Sequence, residues 1–270
     1  MLKKLFHIDN KEGNPDEQVL SLRIGASHCS YVITDLTGED LFRLGYYSYE
    51  TADHNPVELL YMAEPSLDVS FSKVLAGYDF EQSTLVPETY FKKEDANNLL
   101  QSLYGVNGTK TVVTEPVTDW QLFNVYAIPK EMHEWMKHKF TSGNYWHQYT
   151  IGLKNLVNVE EGQLFVDLRS TDFTVIATRG NQLLIAQTFL YSTPEDVLYY
   201  LLKLCQEFQL SQKTVRVSLS GLIEKNSALY KELYQYFIQL HFRESTWEVA
   251  NAELPAHFFT SLNDLSRCAS

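Results

Sequence analysis

The chain lacks most of the features that assign a function at sight. Its three cysteines, Cys29, Cys205 and Cys268, are far apart, odd in number and without C-x-x-C spacing. That opposes a disulfide framework and fits free thiols in a reducing compartment, read as buried small hydrophobes. No basic cluster is present, and the formal charge of −12 opposes a nucleic-acid surface, where Lys and Arg must neutralise phosphate. No run approaches the roughly 18 apolar residues of a spanning helix, and MLKKLFHIDN has no apolar stretch behind its two lysines. A cytoplasmic protein without a transmembrane segment is expected.

Catalytic motifs are missing in the same way. His133 and His138 suggest H-E-x-x-H, but they are five residues apart, about 140° around a helix, and would not share one metal. Ser218-Leu219-Ser220-Gly221 lacks the first glycine of a G-x-S-x-G nucleophile elbow, so Ser220 reads as a strand-end residue. Tyr145-Trp146-His147-Gln148-Tyr149 could stack on a ligand ring, or simply pack as a connector.

What is present is a globular, aromatic-rich composition: 44% hydrophobic residues, with 17 Tyr and 15 Phe in 270 residues. That length suits two domains. The most regular stretch runs from Gly162 to Tyr191. Leu164, Val166 and Leu168 alternate with polar neighbours, as do Phe173, Val175 and Ala177, and Leu183, Ile185 and the run around Phe189 follow. Turn residues at 169–172 and 179–182 make this a three-stranded meander. Thr193-Pro194-Glu195-Asp196 then opens a helix, Val215–Leu219 is a strand, 226–240 a helix, Ser245–Val249 a short strand, and Pro255 opens a last helix.

A weaker copy lies upstream. Residues 1–17 read as a loosely attached leader. Strands follow at 19–24, 29–35 and 40–49. A helix opens at His54-Asn55-Pro56, a strand spans 71–77, an extended piece lies around Leu85, and a helix covers 94–104. Strands at 111–113 and 121–127 and a helix from Pro129 to about Phe140 complete the half. Residues 141–161 read as an irregular connector. Leu20–Ser27 lies over Leu164–Thr171, Ser30–Thr34 over Thr174–Thr178, Leu41 over Leu183, Asn55-Pro56 over Thr193-Pro194, Val74–Gly77 over Ser218–Gly221, and Ala127–Pro129 over Glu253–Pro255.

This duplicated order resembles the actin-like ATPase superfamily, and residues 18–265 look like an uncharacterised bacterial family, a domain of unknown function, within it. The pattern is distantly similar to the pilus-assembly and type II secretion scaffold proteins. The resemblance implies an α/β fold of two duplicated actin-like (ribonuclease H-like) lobes, residues 18–140 and 162–270, each a mixed five-stranded sheet with flanking helices. It also implies an interlobe cleft in which a phosphate hairpin from each lobe, reading Asp-x-Gly and then a small hydroxyl residue, holds Mg-ATP.

Neither hairpin is complete. The first carries Gly25 and Ser27 with Arg23 in the carboxylate position, and the second carries Asp167 and Thr171 with Arg169 in the glycine position. The adenosine glycine pair matches only Ser220-Gly221. Asp167 could organise metal or merely cap its turn with Thr171. Arg169 could bind phosphate or fill its place by bonding protein groups. The leading expectation is a non-catalytic scaffold or protein-interaction protein with a degenerate nucleotide site, no cofactor, and a protein partner that includes a second copy of itself. The alternative is an Mg-ATP-dependent ATPase or phosphotransferase.

Overall fold

The early alternating runs form strands, and the sheet they build starts before them. The computed structural model describes residues 2–50, 55–157, 159–249 and 254–269. It divides into two compact units, one of Met1–Lys154, Trp247–Ala250 and Leu262–Ser270, the other of Asn155–Thr246 and Asn251–Ser261.

In the first unit the strands are β1 (Leu2–Asp9), β2 (Val19–Gly25), β3 (His28–Thr34), β4 (Leu41–Tyr49), β5 (Lys73–Asp79), β6 (Ser83–Pro87), β7 (Lys110–Val117), β8 (Leu122–Pro129) and β9 (Asn144–His147). Helices α1 (Pro56–Ala63), α2 (Ala96–Tyr104), α3 (Lys130–Lys139) and α4 (Gln148–Lys154) lie between and after them. Asn55 caps α1 by accepting the Val57 N–H at 3.1 Å, with Pro56 in the first turn; His54 lies outside the described residues. The main sheet runs β1-β4-β3-β2-β5-β9, and a second, three-stranded sheet runs β6-β8-β7 with α2 packed on it through Ala96 and Leu100.

Three expectations are corrected here. The leader over 1–17 contains β1, which pairs antiparallel with β4, stacks Phe6 on Tyr46 and buries Ile8. Lys3 and Lys4 and a bulge between Lys4 and Phe6 had masked its alternation. The first sheet therefore has six strands, not five. The connector at 141–161 contains β9 and α4: β9 pairs parallel with β5, Tyr145 stacks on Tyr78, and His147 is buried with Nε2 2.8 Å from the Phe80 carbonyl.

In the second unit β10 (Gln163–Leu168), β11 (Asp172–Arg179), β12 (Gln182–Leu190), β13 (Arg216–Gly221) and β14 (Gln239–Phe242) form one sheet, ordered β12-β11-β10-β13-β14. Helix α5 (Pro194–Glu207) starts in a capping box between Thr193 and Asp196, and α6 (Ala228–Tyr236) is capped by Ser227. The helix expected over 226–240 stops at Tyr236, and its last residues enter β14. The strand expected at Ser245–Val249 is absent from the described residues. Phe237 and Leu240 continue the apolar stripe of α6, so helical spacing concealed a strand that pairs parallel with β13. Leu164, Val166, Leu168, Phe173, Val175 and Ala177 enter one core with Val197, Leu201 and Leu204 of α5. Each buried Val, Leu or Phe side chain among them contributes about 1.5–3 kcal/mol. Pro255 precedes a single 3-10 turn, and helix α7 (Thr260–Ser266) follows; from Leu262 onward it belongs to the first unit, where Leu265 joins Val19, Leu75 and Ile151 in a small core cluster.

Five strands recur in the two sheets with the same order and senses: β4-β3-β2-β5-β9 and β12-β11-β10-β13-β14. Arg23 faces Ser30 where Asp167 faces Thr174, and both meanders bulge at the same step, between Ile33 and Thr34 and between Ala177 and Thr178. Two alignments shift. With Leu20 over Leu164, the β5 and β13 registers place Gly77 over Ser220, one residue off the expected match. Pro129 opens α3, which in strand order corresponds to α6, so it is not the counterpart of Pro255; Glu253 lies outside the described residues.

Candidate functional site

The turn after β2 brings Gly25, Ala26 and Ser27 to the end of the first sheet. Arg23, one pleat earlier, is buried, and its Nη2 lies 2.7 Å from Oδ2 of Asp79 at the end of β5. His28, the first residue of β3, places Nε2 2.8 Å from the same oxygen. The Asp79 side chain is wholly buried, so two nitrogen groups converge on one desolvated carboxylate. A Cβ built on Gly25 would lie 2.1 Å from the His28 ring, which means the imidazole rests directly against the glycine backbone. Tyr49 closes the turn from the far side: its hydroxyl donates to the Gly25 carbonyl, and its N–H donates to the Ser27 carbonyl at 2.9 Å. Burial pushes the Tyr49 phenol pKa far up, and the nearby Cys29 and Asp79 act in the same direction, which keeps the hydroxyl a donor.

The turn after β10 is closed differently. Arg169 is 2% exposed. Its Nε donates to Asp172 Oδ1 at 2.6 Å, its Nη2 to Thr174 Oγ1 at 2.8 Å, and its Nη1 reaches Asp167 Oδ2 at 3.3 Å. The Arg169 N–H donates to the Asp172 carbonyl at 2.9 Å, and the Arg169 carbonyl accepts the Tyr191 hydroxyl at 2.5 Å. Asp167 Oδ1 accepts hydroxyls from Ser220 at 2.9 Å and Ser261 at 2.6 Å. Thr171 is exposed. Gly221 ends β13 with φ of +81°, and a Cβ there would stand 2.1 Å from the Leu168 carbonyl oxygen. Sheet geometry alone therefore requires glycine at this position.

Within the second unit the structure thus gathers Asp167, Arg169 and Ser220 into one network, with Gly221 beside it and Thr171 on the surface. Gly25 and Ser27 belong to the turn of the first unit. Asp79, His28, Asp172 and Ser261 complete the two clusters and were not singled out from sequence. Asp172 stands three residues from Arg169 in a turn, a spacing that could have flagged it. Ser261 lies 94 residues from Asp167 and carries no such signal.

The other candidates are structural. His133 is buried, 3.0 Å from the Tyr78 hydroxyl, and desolvation with the nearby Lys137 pushes its pKa down to about 4; His138 is exposed. Among the described residues, no three His, Cys, Asp or Glu side chains are grouped to hold a metal, and no helix is long and apolar enough to cross a membrane.

A family model described as "Protein of unknown function (DUF3822)" matches residues 9–240. No curated protein matches the sequence. Among solved structures, a protein of Bacteroides thetaiotaomicron described as having an actin-like ATPase fold and unknown function is similar, with a TM-score of 0.74 at 17% identity over 85% of this chain and 91% of that one. The PilM-PilN type IV pilus biogenesis complex is similar with a TM-score of 0.58 at 13% identity, over 95% of this chain and 99% of that one. The fold is the actin-like ATPase fold.

Proposed function

The chain belongs to the DUF3822 family of proteins of unknown function, and from that premise we propose that it is a non-catalytic, actin-like protein-interaction scaffold whose hairpin turns are closed by its own side chains. We read the two units as duplicated lobes, on the strength of their shared strand order and equivalent bulges.

The observation that carries the reading is Arg169. A guanidinium occupies the position where the superfamily hairpin has glycine, and it is buried on Asp172, Asp167 and Thr174. Mg-nucleotide fits these residues poorly. Asp167 would have to release Ser220, Ser261 and Arg169 before organising a metal, and an anion approaching the Gly25 backbone would have to displace the His28 imidazole. A protein partner is supported by the PilM-PilN complex, in which a protein of this fold is engaged with another protein.

Binding of Mg-ATP, with or without turnover, is the second reading; exposed Thr171 and the actin-like fold favour it. Thermal melting separates the two. A ligand at 100 times its Kd adds about 2.7 kcal/mol of stability. At about 2–4 °C per kcal/mol, that raises Tm by roughly 5–11 °C in a chain of this size. We expect no shift at millimolar Mg-ATP. A shift of that size, abolished by Asp167→Ala, would overturn the scaffold reading.

A further inference from the structure

The sheet edges differ in how they are protected. An edge strand presents unpaired N–H and C=O groups, and charges, proline, bulges or short length normally blunt it. In the first unit β1 carries Lys3, Lys4 and a bulge, β9 is four residues long, and β6 and β7 end in or contain Pro87 and Pro116. In the second unit β14 is four residues long. The remaining edge, β12, has nine residues, QLLIAQTFL, without charge, proline or glycine. Its one irregularity is the bulge at Leu184, which leaves Ile185–Leu190 as an unbroken run. All of its residues are partly or fully exposed, Leu190 by 65%.

We propose that β12 is a self-pairing edge, through which two copies of this chain join their five-stranded sheets antiparallel about a two-fold axis at Gln187. Two features select a second copy as the occupant. The chain carries a net charge of −12, so copies repel one another except where charge is absent, and β12 contains none of its Lys, Arg, Asp or Glu residues. The sequence is also self-complementary in that register. Ile185, Gln187 and Phe189 share the face that meets Ala177, Val175 and Phe173 of β11. Centring on Gln187 sets Ile185 opposite Phe189 of the second copy, an aliphatic–aromatic cross-strand pair, and sets Gln187 opposite itself, where each amide can donate and accept. A two-fold axis makes this contact closed and isologous.

This inference does not rest on the reading of the turns, which nucleotide melting tests separately. Sedimentation of the full chain across a concentration series is expected to show a monomer–dimer equilibrium. Gln187→Lys with Leu190→Lys, both at exposed positions, sets the two residue-187 charges directly opposite each other and adds a charge at each end of the paired run, and should weaken the dimer roughly tenfold or more with an unchanged circular dichroism spectrum. Gln187→Cys provides a direct check. Opposed Cα atoms in an antiparallel pair are about 4.5–5.5 Å apart, within disulfide reach, so mild oxidation should link two chains of this variant but not of the wild type. A wild type that stays monomeric throughout, a dimer insensitive to the lysines, or a Gln187→Cys variant that fails to link would each overturn the proposal.

Discussion

Replacing Arg169 with leucine tests whether its guanidinium holds the second turn together. In the wild type this side chain neutralises Asp172, whose side chain is 12% exposed, and also reaches Asp167 and Thr174. Leucine keeps apolar bulk but leaves Asp172 as a poorly solvated carboxylate with its cation gone. Breaking a buried pair from one side costs about 3–5 kcal/mol. At about 2–4 °C per kcal/mol, Tm should fall by roughly 6–20 °C. The assay is thermal and urea denaturation of both proteins, with an unchanged m-value showing that stability rather than compactness has changed. Arg169→Leu combined with Asp172→Leu should recover most of the loss, because removing both partners of a buried pair is often neutral. A single-variant cost below about 1 kcal/mol, the scale of a solvated surface pair, would refute the view that this guanidinium holds the turn together.

Gly25→Ala should destabilise by forcing its methyl into the His28 ring, and His28→Ala in the same chain should restore part of the loss, read by melting. Gly221→Ala should be the more damaging of the two, since the obstruction is the Leu168 carbonyl and φ is +81°; the expected result is loss of folded protein on expression, and a Tm within a few degrees of wild type would contradict it. Burial raises the Glu115 pKa to about 7 against hydrogen bonds from Thr150, the His147 N–H and the Tyr126 hydroxyl. The folded state therefore binds more protons than the unfolded state between about pH 4.5 and 7, and this group's contribution falls as pH rises through that window, by about 3 kcal/mol in all. His133, with its pKa lowered to about 4, acts oppositely, its contribution being lost as pH falls from about 6.5 to 4. Glu115→Gln should consequently melt lower relative to wild type at pH 5 than at pH 8, and an equal difference at the two values would contradict the assignment.

The alternation in β2, β3, β10 and β11 made the meanders legible because each strand buries a regular set of side chains. Asn55, Pro56, Thr193 and Pro194 marked their helices because the cap chemistry is local. The elements that were misread are those whose pairing partner is distant. β1 looks polar because it lies at a charged edge, and β9 is four residues of aromatic and polar chain that becomes a strand only beside β5. β14 continues the apolar spacing of α6, so only its pairing with β13 identifies it. The site divides in the same way. Arg23 and Arg169 could be singled out directly, and Asp172 lies within reach of Arg169 in sequence, but the distant partners could not be read: Asp79 is 56 residues from Arg23, and Ser261 is brought to Asp167 by the return of the chain.

Those partners fix how each of the two turns is closed. Each buried arginine has a carboxylate partner, supplied by a different route. In the first unit the cation sits in the strand, and its counter-charge comes from the end of β5, with His28 filling the space above Gly25. In the second the cation sits in the turn itself, and its counter-charge comes from the first residue of β11. A buried arginine without a carboxylate would cost several kcal/mol, so each arginine is tolerable only together with its partner. The two turns are thus both closed internally, by different sets of side chains, and each closure stands or falls with its own ion pair.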